Sequence, residues 1–157
     1  MEATRVGQLF LLFVIFATVY SAWTDLGSYP ANGAGKRFWA DSTQARTWDE
    51  SVTFCKEVGP AFVLTTGLSN DEVRHLGGKY NKDTFTGTHW IAAVSAKPPA
   101  SMAWSSSQDT SVGDLGYDWK ELVVEPLCGA FYADETPYFR QLNCTLKYKT
   151  ICHEPVT

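Results

Sequence analysis

Between Trp104 and Cys128 the chain gathers most of the side chains that could do chemistry. Asp109, Asp114 and Asp118 stand close together, and Glu121 and Glu125 follow. Carboxylate oxygens are what a hard cation such as calcium takes as ligands. The same residue types also make ordinary solvated turns. Trp104, Tyr117 and Trp119 are set among them. Their rings can serve as core pillars, or they can anchor a partner, because aromatic residues are enriched at binding hot spots. Trp104, Asp114, Tyr117, Asp118, Trp119, Glu121 and Glu125 together form the candidate ligand-binding surface.

Other chemistries find less to work with. No Gly-x-Ser-x-Gly nucleophile motif occurs. His75, His89 and His153 lack the His-Glu-x-x-His spacing of a catalytic zinc site. His75 reads as a helix-surface residue and His89 as a strand entrance. No residue is assigned a catalytic role, and the chain is not expected to be an enzyme. A structural zinc site would normally use close Cys-x-x-Cys pairs, and none exists. The net charge is -4 and no run of basic residues follows the leader, which leaves nucleic acid without an electrostatic foothold.

The leader itself is informative. Arg5 precedes an apolar run from Leu9 to Tyr20, and small residues follow at Ser21 and Ala22. A bilayer-spanning helix needs roughly 20 apolar residues, more than this run supplies. Residues 1–22 therefore read as a secretory signal peptide. The product is expected to be secreted and extracellular, with no membrane attachment after cleavage. What remains is about 135 residues, enough for one domain with its own core.

Cys55, Cys128, Cys144 and Cys152 all lie in this remainder. An even count on the oxidising secretory route implies disulfides, though four cysteines allow three pairings and their positions do not choose among them. Asn143-Cys144-Thr145 matches the N-glycosylation sequon. The competing reading is that a neighbouring disulfide hides Asn143 from the glycosylating machinery.

The elements that position these residues can be read in order. A strand is predicted at Lys36–Ala40. Thr47 with Glu50 makes a capping box. Behind it Trp48, Val52 and Cys55 fall at i, i+4 and i+7, on one helical face. Ser69 with Glu72 repeats the box for a second helix, with Val73 and Leu76 as its apolar face and Gly77-Gly78 as its stop. "AFVLTT" reads as a short buried strand and "HWIAAV" as an interior strand, ended by the prolines of "AKPPAS". Residues 95–127 read as one long loop region. "LCGAFYA" and "YKTICHE" return to strand, flanking a turn-like "DETPYFRQLN". Two helices followed by strands and a long loop give an α+β fold class.

In this order the pieces resemble the C-type lectin-like domain in its short, secreted, single-domain form. The likeness rests on "TWDESVTFC", "LTTGLSNDEVRHL", "HWIAAV", Trp104 and Trp119, and the closing "CGAFY…LNCTLKYKTICHE". It covers residues 36–155 as the domain and leaves 23–35 as a short N-terminal segment. One departure is Ala92, where the family prefers glycine. The resemblance implies two helices packed on antiparallel sheets with a long irregular loop region. It also implies two disulfides, Cys55 with Cys152 and Cys128 with Cys144.

Sugar-binding members of the family hold calcium with a Glu-Pro-Asn or Gln-Pro-Asp triplet, an acidic residue before the cysteine corresponding to Cys128, and a Trp-Asn-Asp triplet before the position of Cys144. Here Glu125-Pro126-Leu127 abuts Cys128 out of register, and the segment from Trp119 to Cys128 is several residues short. Phe139-Arg140-Gln141 stands at the second triplet. No cofactor is therefore expected, calcium being the possible exception. The resemblance implies a non-catalytic recognition module that binds an extracellular protein or glycan without calcium. The alternatives are a calcium-dependent carbohydrate-binding lectin with an atypical site, and a structural extracellular protein.

Overall fold

The computed structural model describes residues 23–31, 33–97, 101–105, 127–134 and 139–157. Ten elements follow one another: β1 (Trp23–Tyr29), β2 (Gly35–Arg46), α1 (Trp48–Val58), β3 (Val63–Leu64), α2 (Asn70–Gly77), β4 (Thr88–Lys97), β5 (Ser101–Trp104), β6 (Leu127–Tyr132), β7 (Phe139–Asn143) and β8 (Tyr148–Val156). The strands join in one sheet of order β1-β2-β8-β4-β6-β7, with β3 paired to β8 and β5 to β4. The class is α+β, as expected. The sheet is mixed, however, because β4 runs parallel to β8 at His89↔Lys149 and Trp90↔Thr150. No described helix is long and apolar enough to cross a membrane.

Both capping boxes form. Thr47 Oγ1 accepts from Glu50 N, and Glu50 Oε2 accepts from Thr47 N at 2.8 Å. Ser69 and Glu72 do the same, with Ser69 N donating to Glu72 Oε2 at 2.7 Å. Each box satisfies amide donors that the first helical turn leaves without intrahelical partners.

The sheet carries apolar residues on both faces, which explains the unbroken run in β4. Side chains along a strand alternate between faces. Ile91 and Ala93 join one buried cluster with Phe38, Leu76, Phe85, Phe131, Phe139 and Ile151. Trp90 and Ala92 join the other, with Cys55, Leu64, Cys128, Ala130 and Cys152. A strand buried on both faces reads as continuous rather than alternating hydrophobicity. Ala92 is itself buried and bonded into the sheet through Thr65.

Several expectations are corrected by the contacts. Residues 23–29 form β1, paired along β2 from Trp23↔Asp41 to Tyr29↔Lys36, and Leu26 enters the core. β2 continues past Ala40 to Arg46, through a register shift. The region that read as loop from residue 95 includes the end of β4 and the whole of β5. The stretch that read as a turn before the last strand contains β7. Of "AFVLTT" only Val63–Leu64 is strand, with Val63 exposed and Leu64 buried. His75 is half-buried rather than on the surface. Its Nε2 lies 3.0 Å from the carbonyl of Leu26, which can only accept, so His75 is the donor that ties α2 to β1.

Candidate functional site

The β6–β7 ladder begins at Leu127, directly after the segment expected from the sequence to be a long loop. Its register is Leu127↔Asn143, Cys128↔Leu142, Gly129↔Gln141, Ala130↔Arg140 and Phe131↔Phe139. Partners across an antiparallel pair share a face. The ladder therefore sorts its side chains: Phe139 and Gln141 are buried on one face, while Arg140 and Leu142 on the other are half-exposed.

The three residues Phe139, Arg140 and Gln141 each do something definite. Phe139 is fully buried and packs edge-on against Phe131, with ring centroids 5.5 Å apart. Arg140 places its guanidinium carbon 4.0 Å from the centroid of the Tyr132 ring, a cation–π contact. Gln141 is 4% exposed, and among the described residues its amide Nε2 finds no hydrogen-bond partner. None of the three brings a carboxylate. One is an apolar pillar, one a fixed cation and one a neutral amide. This donor set does not fit calcium, which is bound by 6–8 oxygens in typical protein sites.

Both disulfides are formed in the expected pairing. Cys55 joins Cys152 with Cα atoms 5.7 Å apart, tying α1 to β8. Cys128 joins Cys144 with Cα atoms 5.1 Å apart, across the ends of β6 and β7. Trp104 is 5% exposed, paired opposite Ala93 and clustered with Phe131 and Phe139. It belongs to the core and not to the binding surface on which the sequence reading placed it. Its large ring fills the sheet face at the end of β5. Asp109, Asp114, Tyr117, Asp118, Trp119, Glu121 and Glu125 lie outside the described residues.

Asn143 closes β7 and opens a turn. Its Oδ1 accepts from Thr145 N at 2.9 Å and from Thr145 Oγ1 at 2.8 Å, and its carbonyl accepts from Leu146 N at 3.0 Å.

Two features were not read from the sequence. The first is the Arg140–Tyr132 stack, because strand pairing brings the two residues together. The second is a shallow groove of about 680 Å³ between the end of β2, the outer side of α1 and the turn after β7. Arg46, Asp49, Glu50, Phe54, Glu57 and Lys147 line it. Its charges are mixed. Phe54 already stacks on Trp23, with centroids 5.2 Å apart, and Arg46 sits 3.5 Å from its ring centroid. The groove therefore offers no free aromatic platform, and the β6–β7 end remains the better candidate site.

No family model and no curated protein matches the chain. Solved structures do. The chain is similar to the mouse scavenger receptor C-type lectin carbohydrate-recognition domain at 14% identity and TM-score 0.60, covering 87% of this chain and 95% of that one. It is similar to the C-type lectin CEL-I from Cucumaria echinata at 17% identity and TM-score 0.56, covering 86% and 95%. It is also similar to EMS16, an antagonist of the collagen receptor integrin α2β1, at 15% identity and TM-score 0.51, covering 85% and 96%. At these identities the likeness is one of fold. The chain has the C-type lectin-like fold.

Proposed function

We propose that this protein is a secreted, non-catalytic recognition module that binds an extracellular protein, or a glycan, without calcium. The observation that carries the reading is the use made of Phe139, Arg140 and Gln141. The two triplet positions that supply calcium ligands in sugar-binding members are spent on a cation–π contact at Arg140 and a buried amide at Gln141, while Phe139 takes the tryptophan's place as a core pillar. Binding then rests on the surface of the long loop, with Asp114, Tyr117, Asp118, Trp119, Glu121 and Glu125 as its candidate contacts. An acidic and aromatic surface of that kind suits a partner with basic side chains, or a sugar ring stacked on an aromatic face.

The choice between protein and glycan follows from which relatives one leans on. The mouse domain is a carbohydrate-recognition domain by name, whereas EMS16 is an integrin antagonist. The missing carboxylates favour the protein partner, because calcium-bridged sugar recognition needs them.

A glycan array run with and without EDTA, paired with a screen against secreted and cell-surface proteins, tests the proposal. Capture of a protein partner that persists in EDTA is the expected result. Glycan binding abolished by EDTA would show that the calcium-dependent alternative is right.

A further inference from the structure

We infer that Asn143 carries an N-linked glycan, which shields the edge strand of the described sheet beside the start of β6. The inference rests on the secretory reading of the leader, since the acceptor motif is used only on that route.

Three observations carry it. The first is the turn. Thr145 directs both its amide and its hydroxyl to Asn143 Oδ1, at 2.9 and 2.8 Å. Among the described residues this leaves Asn143 Nδ2, the atom a glycan is joined to, without an acceptor. The second is the disulfide. Sequence alone left it open whether the Cys128–Cys144 bridge would bury the sequon. Alternation along β7 answers this, because neighbouring side chains point to opposite faces. Leu142 and Cys144 pack into the cluster that holds Cys128 and Trp90, on the other side of the strand from Asn143. The bridge therefore does not lie over the amide. Thr145, Leu146 and Lys147 next to it are all exposed.

The third observation gives the glycan something to do. Among the described residues β7 pairs with β6 alone and ends the sheet. An edge strand invites pairing with another chain. Leu146, 45% exposed, adds an apolar side chain at the same corner. Asn143 is half-buried on the face it shares with Gln141 and Leu127, and a bulky hydrophilic group leaving it at the end of the strand extends over this corner. Because Asn143 pairs with Leu127, the glycan also stands beside the start of β6.

The chemistry balances with one co-reactant, a lipid-diphosphate-linked oligosaccharide supplied by the secretory pathway. Asn143 Nδ2 attacks the anomeric carbon of the sugar. A carbon–nitrogen bond forms, the carbon–oxygen bond to the diphosphate breaks, the lipid diphosphate leaves, and Nδ2 loses one proton.

The test expresses the full chain in a eukaryotic secretory cell line. The secreted protein should run above its polypeptide mass and collapse to it on treatment with peptide-N-glycosidase F. The shift should be absent in Asn143→Gln and Thr145→Ala and retained in Thr145→Ser. Secreted, disulfide-bonded protein with no shift would overturn the glycan while leaving the secretory reading intact. Protein found only in the cytosol would overturn both. Asn143→Gln should also self-associate on size-exclusion chromatography as concentration rises. A variant as monodisperse as the glycosylated protein would overturn the covering role.

Discussion

The hydroxyls of Ser51 and Thr150 meet at 2.9 Å in the interior, joining α1 to β8 across 99 residues of sequence. Both residues are fully buried. Ser51 Oγ also donates its single proton to the carbonyl of Thr47 at 2.9 Å, so Thr150 must be the donor between the two hydroxyls. The chain of bonds runs Thr150 to Ser51 to the N-cap of α1.

Ser51→Ala therefore leaves the Thr150 hydroxyl buried with its donor unmet. A buried polar group that loses its partner costs about 1–3 kcal/mol. Thr150→Val removes the donor itself and leaves Ser51 bonded to Thr47, so its cost should be the smaller. Denaturant unfolding of the two variants checks this order. Equal losses would show that Thr150 finds another acceptor.

The histidines make stability fall on mild acidification. His89 is fully buried with Nδ1 3.2 Å from the carbonyl of Gly87, an acceptor only. Nδ1 therefore carries the proton, and Nε2, which has no partner among the described residues, would have to bind the next one in the interior. Burial, with Lys149 adding to it, holds His89 down at about 3. Burial and Lys36 hold His153 at about 4. In the unfolded chain both return to about 6.5. Below that pH the unfolded state binds more protons than the folded one, so stability is lost as pH falls. Between pH 7 and pH 5 each histidine should cost about 2 kcal/mol, in a window above the ordinary carboxylate range. Guanidinium unfolding at the two pH values measures the sum, and His153→Gln should remove about half of it. A flat profile over that range would show that both imidazoles titrate normally.

The two disulfides should differ in what they contribute. Cys55–Cys152 spans 97 residues and Cys128–Cys144 spans 16. In the chain-entropy model the longer closure is worth about 4–5 kcal/mol and the shorter about 3. Removing each bridge with paired alanines should therefore destabilise more at Cys55 and Cys152. The same order is expected from packing, since both sulfurs of the longer bridge lie in the buried cluster with Trp90. Melting temperatures of the two double variants test this. A larger drop for the β6–β7 pair would mean that the loop base, and not the helix–strand tie, limits unfolding.

Both helix starts were legible in the sequence because a capping box is a local arrangement of side chain and backbone, complete within four residues. Cys55 was legible as a core position because helical spacing set it on the face of Trp48 and Val52. The strands that went unread are those whose evidence is not local. β1 offers a single buried residue, Leu26, and is held mainly by its ladder to β2. The later half of β2, "DSTQAR", is polar because Thr43–Ala45 face solvent and the buried Asp41 is paired with Arg46. His75 illustrates the same limit: nothing in "DEVRHLGG" says that β1 will lie against it. At the candidate site, the loss of the triplet's asparagine and aspartate to Arg140 and Gln141 was plain from the resemblance, but what these two and Phe139 do instead depended on the β6–β7 register.

Calcium provides the last prediction, and it rests on a count of oxygens. Phe139 is a buried ring and Leu127 is buried and apolar. Arg140 brings a positive charge, held over Tyr132, to a position that the resemblance assigns to an acceptor. Gln141 has one neutral amide oxygen. Glu125 is the anion left in the triplet, and it stands out of register in the sequence. One carboxylate and one amide do not replace the waters around calcium at the free concentrations found outside cells. A ligand that binds only the folded state raises its melting temperature by mass action. The melting temperature should therefore be the same in EDTA as in about 5 mM calcium, above the weak extracellular range of roughly 10⁻⁴–10⁻³ M. Retention on mannose or galactose resin should likewise be insensitive to EDTA. A calcium-dependent rise that disappears in Asp109→Asn, Asp114→Asn or Asp118→Asn would reveal a site built within the loop. A rise that disappears in Glu125→Ala would identify Glu125-Pro126 as a working remnant of the sugar-binding triplet.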